Sequence, residues 1–212
     1  MDFFTSDQHF GHKNIIRYCN RPFESVEQMD EAIISRWNQV VSSNDTVYVV
    51  GDVSFHRASI SSRIIKKLNG TKILIRGNHD KSQSAMIEMG FDQVYNRLEY
   101  TLPNGQQALL WHYPLPDSLI SKYDVLIHGH THCKPSEAIH GKKFNVCVDA
   151  WDFTPISSDT VCNLLKGEAR KDHCEIEIDD SGMVSISAKV FSEDLSGLFN
   201  YIKDITYGDF SK

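Results

Sequence analysis

Aspartate, asparagine and histidine recur along the first 132 residues in five short blocks, each set at the end of an apolar run. Asp7-Gln8-His9 follows Asp2–Ser6, Gly51-Asp52 follows Thr46–Val50, and Gly77-Asn78-His79-Asp80 follows Lys72–Arg76. His112 follows Gln107–Trp111, and Gly129-His130-Thr131-His132 follows Asp124–His128. Carboxylate oxygens, an amide oxygen and neutral imidazoles together suit hard or borderline divalent cations such as manganese, iron, zinc or nickel. No cysteine cluster accompanies them, which argues against a structural zinc knuckle. A carboxylate set between two cations can bridge them. Two metals about 3.5–4 Å apart could generate a hydroxide and clamp both the attacking and the leaving oxygen of a phosphoryl centre. Gly51, Gly77 and Gly129 are expected to let the backbone turn sharply, so that the side chain after each faces the metals.

These blocks need strands to present them. The six strand candidates are the five runs above and Phe144–Asp149. Between the early ones lie helical segments. In Val26–Val41 the residues Val26, Met29, Ile33, Trp37, Val40 and Val41 recur every three or four positions and form one apolar stripe. Ser59–Leu68 is a weaker version closed by Asn69-Gly70, and Ser82–Met89 forms a further short helix. Strands separated by helices imply sheets covered by helices, with ligands gathering at the carboxyl ends of the strands. The later strands follow one another with little helix between them, so a purely parallel sheet is not expected. A layered αββα arrangement, an α/β fold with two mixed sheets flanked by helices, fits better, although periodicity alone does not select it. After Pro155 the pattern changes to a helix over Ser157–Gly167, a hairpin of His173–Ile178 and Val184–Val190 around Asp180-Ser181-Gly182, and a helix over Glu193–Ile205. A single domain is expected, with a core over about residues 1–156 and a helix-hairpin-helix extension over 157–212.

In order, the blocks read DxH, GD, GNHD, H and GHxH, and this resembles the signature of the calcineurin-like metallophosphoesterases over roughly the first 150 residues. The text around them, His9-Phe10-Gly11-His12 and Trp111-His112-Tyr113-Pro114, is most similar to the small bacterial and phage phosphohydrolases of that superfamily. The resemblance implies two divalent metal ions, manganese foremost, with iron, zinc or nickel as alternatives. It implies Asp7, His9 and His132 as ligands of the first, Asn78, His112 and His130 as ligands of the second, and Asp52 as the bridge. It further implies that His79 reaches the scissile phosphate and protonates or stabilises the leaving oxygen, with Asp80 orienting its imidazole. The implied reaction is in-line attack by a metal-bound hydroxide, without a covalent enzyme intermediate.

Departures from the family pattern bear on substrate. Phosphoprotein phosphatases of the superfamily carry GDxVDRG, whose arginine binds phosphate, and GNHE. Here the first block reads Gly51-Asp52-Val53-Ser54-Phe55-His56-Arg57, with His56 in the arginine's slot and Arg57 one place late, and the second ends in Asp80. A protein phosphatase is disfavoured, and whether His56 or Arg57 touches phosphate stays open. His12, beside the first block, could touch substrate or simply start a helix. His128 reads as a strand-end histidine packed between layers. Tyr113 and Trp151 could line a pocket for a base or other leaving group.

The formal charge is −6 with histidines neutral, which argues against a broad basic surface for nucleic acid but not against a small phosphorylated substrate, since bound cations reverse the sign locally. Cys19, Cys133, Cys147, Cys162 and Cys174 are odd in number and lack CxxC pairing, as expected of free thiols in a reducing compartment. Neither a signal core nor a membrane-length apolar run is evident, and a cytoplasmic protein without membrane association is expected. The expected function is hydrolysis of a phosphoester, a small diester ahead of a monoester. A nuclease and a non-catalytic scaffold are the alternatives.

Overall fold

The structure is a computed structural model that describes residues 1–132, 134–166, 175–178 and 184–187. The chain divides into two compact units, Met1–Ser158 and Asp159–Lys212. In the first unit β1 (Asp2–Thr5) leads through α1 (Lys13–Tyr18) and α2 (Val26–Val40) to β2 (Thr46–Val49). Then follow α3 (Ala58–Lys67), β3 (Thr71–Ile75), α4 (Gln83–Met89) and β4 (Gln93–Tyr95). The later half runs β5 (Leu98–Thr101), β6 (Gln107–Leu110), β7 (Val125–His128), β8 (Ile139–His140), β9 (Lys143–Asn145) and β10 (Ile156–Ser157). The chain continues into α5 (Ser158–Leu165), and in the second unit β11 (Glu175–Ile178) pairs antiparallel with β12 (Val184–Ser187). The expected Asp180-Ser181-Gly182 turn and the helix over Glu193–Ile205 lie outside the described residues, as does Cys133.

Two mixed five-stranded sheets result, one ordered β10-β1-β2-β3-β4 and the other β5-β6-β7-β9-β8. In the first sheet β1 to β4 are parallel and β10 runs antiparallel at the edge beside β1. In the second, β6, β7 and β9 are parallel, with β5 and β8 antiparallel to their neighbours. The strand period of two sorts the side chains. Phe3, Val47, Val49 and Leu74 join Met29, Ile33, Trp37, Ile65 and Met86 in one helix-covered core. Phe4 and Tyr48 take the opposite face, where the Tyr100 ring meets them at 5.4 and 5.0 Å and ties the two sheets together. Leu109 and Leu126 pack outward on Ile120 and Tyr123.

Local chemistry sets the helix limits. The Ser25 hydroxyl accepts the Gln28 amide at the start of α2, and Ser82 does the same for Ala85 at the start of α4. Gly90 ends α4 in the left-handed region at φ 117°. Trp37 fills the α2 stripe and donates its indole N–H to the Asn69 carbonyl at 3.0 Å. The expected strand over Phe144–Asp149 stops at Asn145. The Asn145 side chain accepts the Cys147 amide at 2.8 Å, and Val148–Ala150 coil into a 3₁₀ turn that brings Asp149 round to the site. α1, β4 and β5 were not expected; they are short or half-exposed, and leave little periodic signal. Among the described residues no helix is long and apolar enough to cross a membrane.

Trp37→Ala should cost roughly 3–5 kcal/mol, because it empties a fully buried site and strands the Asn69 carbonyl. Chemical denaturation should show a lower midpoint with the slope retained; a loss under 1 kcal/mol would contradict this packing.

Candidate metal centre

The strands β1, β2, β3, β6 and β7 deliver the five polar blocks to one end of the two sheets. Backbone bonds continue the β1–β2 pairing beyond its strands, from Asp7 N to Gly51 O at 2.9 Å and from His9 N to Asp52 O at 3.1 Å. Gly129 N in turn donates to His112 O at 3.1 Å across the second sheet. Turning the side chains inward requires backbone that L residues rarely adopt: Asp7, His9, Asp52 and His130 have φ of 57°, 53°, 57° and 68°. Such conformations cost about 1–3 kcal/mol each and persist only when neighbours enforce them. Of the three glycines expected to make these turns, only Gly51 has a positive φ, 91°. Gly77 and Gly129 serve close approach instead. A Cβ on Gly77 would lie 2.2 Å from Asp52 Oδ1, and one on Gly129 would lie 2.4 Å from Asp7 Oδ2.

One donor group comprises Asp7, His9 and His132, with ligand atoms all within 4.8 Å of one another. Asp7 is fully buried, and its Oδ2 accepts from Ser6 Oγ at 2.5 Å and from the His130 amide at 3.0 Å. Its Oδ1 and both ring nitrogens of His9 are buried without any hydrogen-bond partner. Orphaned polar atoms of this kind are costly, and a cation seated among them would satisfy Asp7 Oδ1 and one nitrogen of His9. Burial, with the His132 charge beside it, lowers the His9 pKa to about 3, leaving a neutral ring with a free lone pair. Burial, with the Asp52 charge adding to it, pushes the Asp7 carboxyl up against the opposing pull of His112, His132 and the Ser6 hydroxyl.

His132 is aimed by residues the sequence did not flag. Its Nδ1 lies 2.7 Å from Asp149 Oδ2, which leaves Nε2 for the site. Arg21 grips Asp149 with two bonds, Nε to Oδ1 at 2.8 Å and Nη2 to Oδ2 at 2.9 Å. The same guanidinium donates to the carbonyls of Asp7 and Gln8 at 2.8 Å each, so one buried cation fixes both the strained Asp7 loop and the His132 ring. Burial opposes the His132 cation, but the Asp149 carboxylate outweighs it and holds the pKa up to about 10. Burial likewise works against an ionised Asp149, yet His132 and Arg21 hold its carboxyl far below the usual range. Arg21 and Asp149 stand 128 residues apart, and neither sits in a motif.

The second group is Asp52, His112 and His130. The His112 Nδ1 lies 2.8 Å from the Val50 carbonyl, which turns Nε2 toward Asn78 Oδ1 at 3.2 Å. Asp52 Oδ1 accepts the His79 amide at 2.9 Å. Its Oδ2 lies 3.5 Å from His112 Nε2 and 3.8 Å from His9 Nε2, between the two groups. All seven expected ligands thus converge, with Asp52 in the shared position.

Around this centre the other expected residues divide. The His79 ring is 46% exposed, with Nε2 3.9 Å from Asp52 Oδ2. Asp80 does not orient it: its two oxygens accept the amides of Gly77, Asp52 and Val53 at 2.8, 2.9 and 3.0 Å. The carboxylate is spent on bracing the β2 and β3 loops. His56 pairs with Asp30 at 2.6 Å, and Asp30 also accepts the Gly11 amide, so His56 braces the loop after β1. Arg57 is exposed at the start of α3. His12 stacks on Phe55 at 4.1 Å, and Tyr113 packs 4.9 Å from both His112 and His130. Trp151 stacks on Phe144 and donates its indole N–H to the Asn145 carbonyl at 2.8 Å. His128 is buried, as expected.

No family model matches the chain. It is 36% identical over 171 residues to the uncharacterized protein MJ1445 of Methanocaldococcus jannaschii, covering 77% of this chain and 90% of that protein. It is 30% identical over 195 residues to the Gene 66 protein of Mycobacterium phage L5, covering 76% and 92%. The chain belongs to the family these proteins form. Among solved structures, the protein of unknown function AQ665 from Aquifex aeolicus matches with a TM-score of 0.65 and 29% identity, over 77% of this chain and 98% of that one.

Asp149→Asn removes the charge that balances buried Arg21 and directs His132. Affinity of the first site for Mn²⁺ should fall by about 10–100-fold in a chelator competition titration, with the second site retained. Unchanged affinity at both sites would contradict the assignment.

Proposed function

We propose that this chain is a hydrolase of the calcineurin-like metallophosphoesterase superfamily that uses two divalent cations, manganese foremost, to cleave a small phosphodiester. The observation behind this reading is Asp52 Oδ2, set within 3.8 Å of His9 Nε2 and 3.5 Å of His112 Nε2, with a donor group on either side. Asp7, His9 and His132 would hold one cation, and Asn78, His112 and His130 the other, with Asp52 shared. A bound pair of this type supplies Lewis-acid charge at the phosphoryl oxygens and lowers the pKa of water.

The chain's own residues supply orientation and a proton. The His79 amide is pinned by Asp52 while its ring stays open to solvent at the mouth, the place from which Nε2–H can reach a leaving oxygen. Asp80 keeps His79 in place only indirectly, by fixing the two loops that carry it. The preference for a diester follows from charge. Arg21 is committed to Asp149 beneath the centre, His56 is committed to Asp30, and the groups around the mouth are Phe55, His12 and Tyr113. With Arg21 and His56 so engaged, the singly charged diester is easier to accommodate than the dianionic monoester.

A metal-supplemented panel of alkyl and nitrophenyl mono- and diesters, cyclic nucleotides, dinucleotides and labelled oligonucleotides tests this. Small diesters should turn over fastest. His79→Ala should cost roughly 10²-fold or more with alkyl leaving groups and far less with nitrophenolate, which needs no proton. Full activity of the variant on every ester would remove His79 from the mechanism. Preferential oligonucleotide cleavage would make the protein a nuclease, and no turnover with both metals bound would make it a scaffold.

A further inference from the structure

Phe55 follows the Asp52 loop and is 41% exposed, directly beside the centre. His12 stacks on it at 4.1 Å and 20°, and His9 at 5.3 Å and 25°. Those two imidazoles are only 5.5 Å apart, too close to sit on opposite faces of the ring. Both therefore lie on one side of Phe55, and 41% of the residue remains exposed. The His79 ring stands 4.8 Å from Phe55, tilted by 47°. Further out, Tyr18 is 64% exposed, meets His12 edge-on at 6.4 Å, and carries the Arg17 guanidinium 5.4 Å from its ring centre. A single exposed aromatic residue is ordinary on a protein surface. This one touches both a proposed ligand and the proposed leaving-group acid, which ties it to the chemistry.

We propose that Phe55 is a stacking platform for a planar ring carried by the leaving alcohol, so that the substrate is a nucleoside or aryl phosphodiester. The inference rests on the hydrolase reading above and on His79 as the proton donor. A leaving oxygen within hydrogen-bond reach of His79 necessarily places its alcohol alongside Phe55. An aromatic face there gains from a base or an aryl ring and nothing comparable from a sugar or alkyl chain. Stacking tolerates any base, because every base has a π-face, so the platform selects ring-bearing alcohols without reading their sequence.

Three methyl phosphodiesters separate the possibilities: those of the thymidine 5′-hydroxyl, of 2-phenylethanol, and of the abasic tetrahydrofuran analogue of the sugar. The Mn²⁺-loaded wild type should favour at least one ring-bearing ester over the abasic one by about 10-fold in kcat/KM, the scale of one base–aromatic stack. In Phe55→Leu, which keeps an apolar cover over His9 and His12, that preference should fall to near unity. Abasic turnover should fall less than turnover of the ring-bearing esters, and both manganese ions should stay bound. Preference for thymidine alone identifies a nucleoside, and preference for both rings an aryl group. Equal wild-type turnover of all three esters, or an equal loss on all three in the variant, would overturn the platform and leave the hydrolase reading standing. If wild type with both metals bound cleaves none of them nor any other ester, the hydrolase reading fails and takes the platform with it.

Discussion

Burying two carboxylates side by side at the ends of parallel strands, with one oxygen left over, is the constraint to which the rest of this structure answers. Asp7 and Asp52 are both almost wholly removed from water, and Asp7 Oδ1 finds no protein donor. Buried anions without partners are among the most destabilising features a fold can carry. Their backbones are also held in the left-handed region. Asp80 answers for the Asp52 loop through two amides, and Arg21 for the Asp7 loop through two carbonyls. The chain thus spends an acid and a base of its own on keeping two other acids where cations would want them.

Polarity around the centre is layered. Arg21 and Asp149 form a dry ion pair beneath it, whose worth lies in direction more than in net stability. Above the pair, His9 and His132 are set apart by their surroundings, one driven neutral and the other held charged. At the mouth the layer is aromatic, through Phe55, His12 and Tyr113. Such an order confines charge to the depth at which metal ions would sit.

The sequence made the candidate ligands legible because metal chemistry restricts residue type and strand ends restrict position. Asp7, Asp52 and the histidines could be read from those two facts, and the helical stripe ending at Trp37 showed what covers one sheet. The supporting residues could not be read in the same way. Arg21 follows Asn20 in a short loop, and Asp149 sat within an expected strand; only the 3₁₀ turn after Asn145 brings them together. Asp80 and His56 lay inside recognisable blocks, yet their partners are backbone amides and Asp30, contacts that no motif encodes. Gly77 and Gly129 were noticed for the wrong reason: neither has a positive φ, and each instead makes room for a carboxylate, that of Asp52 or Asp7.

The shared position of Asp52 is open to direct measurement. Electron paramagnetic resonance of the protein titrated with Mn²⁺ should show an exchange-coupled pair of ions once two equivalents have bound, and Asp52→Asn should abolish the coupling. A spectrum of isolated Mn²⁺ at every loading, or saturation at one ion per chain, would contradict a binuclear centre bridged by Asp52.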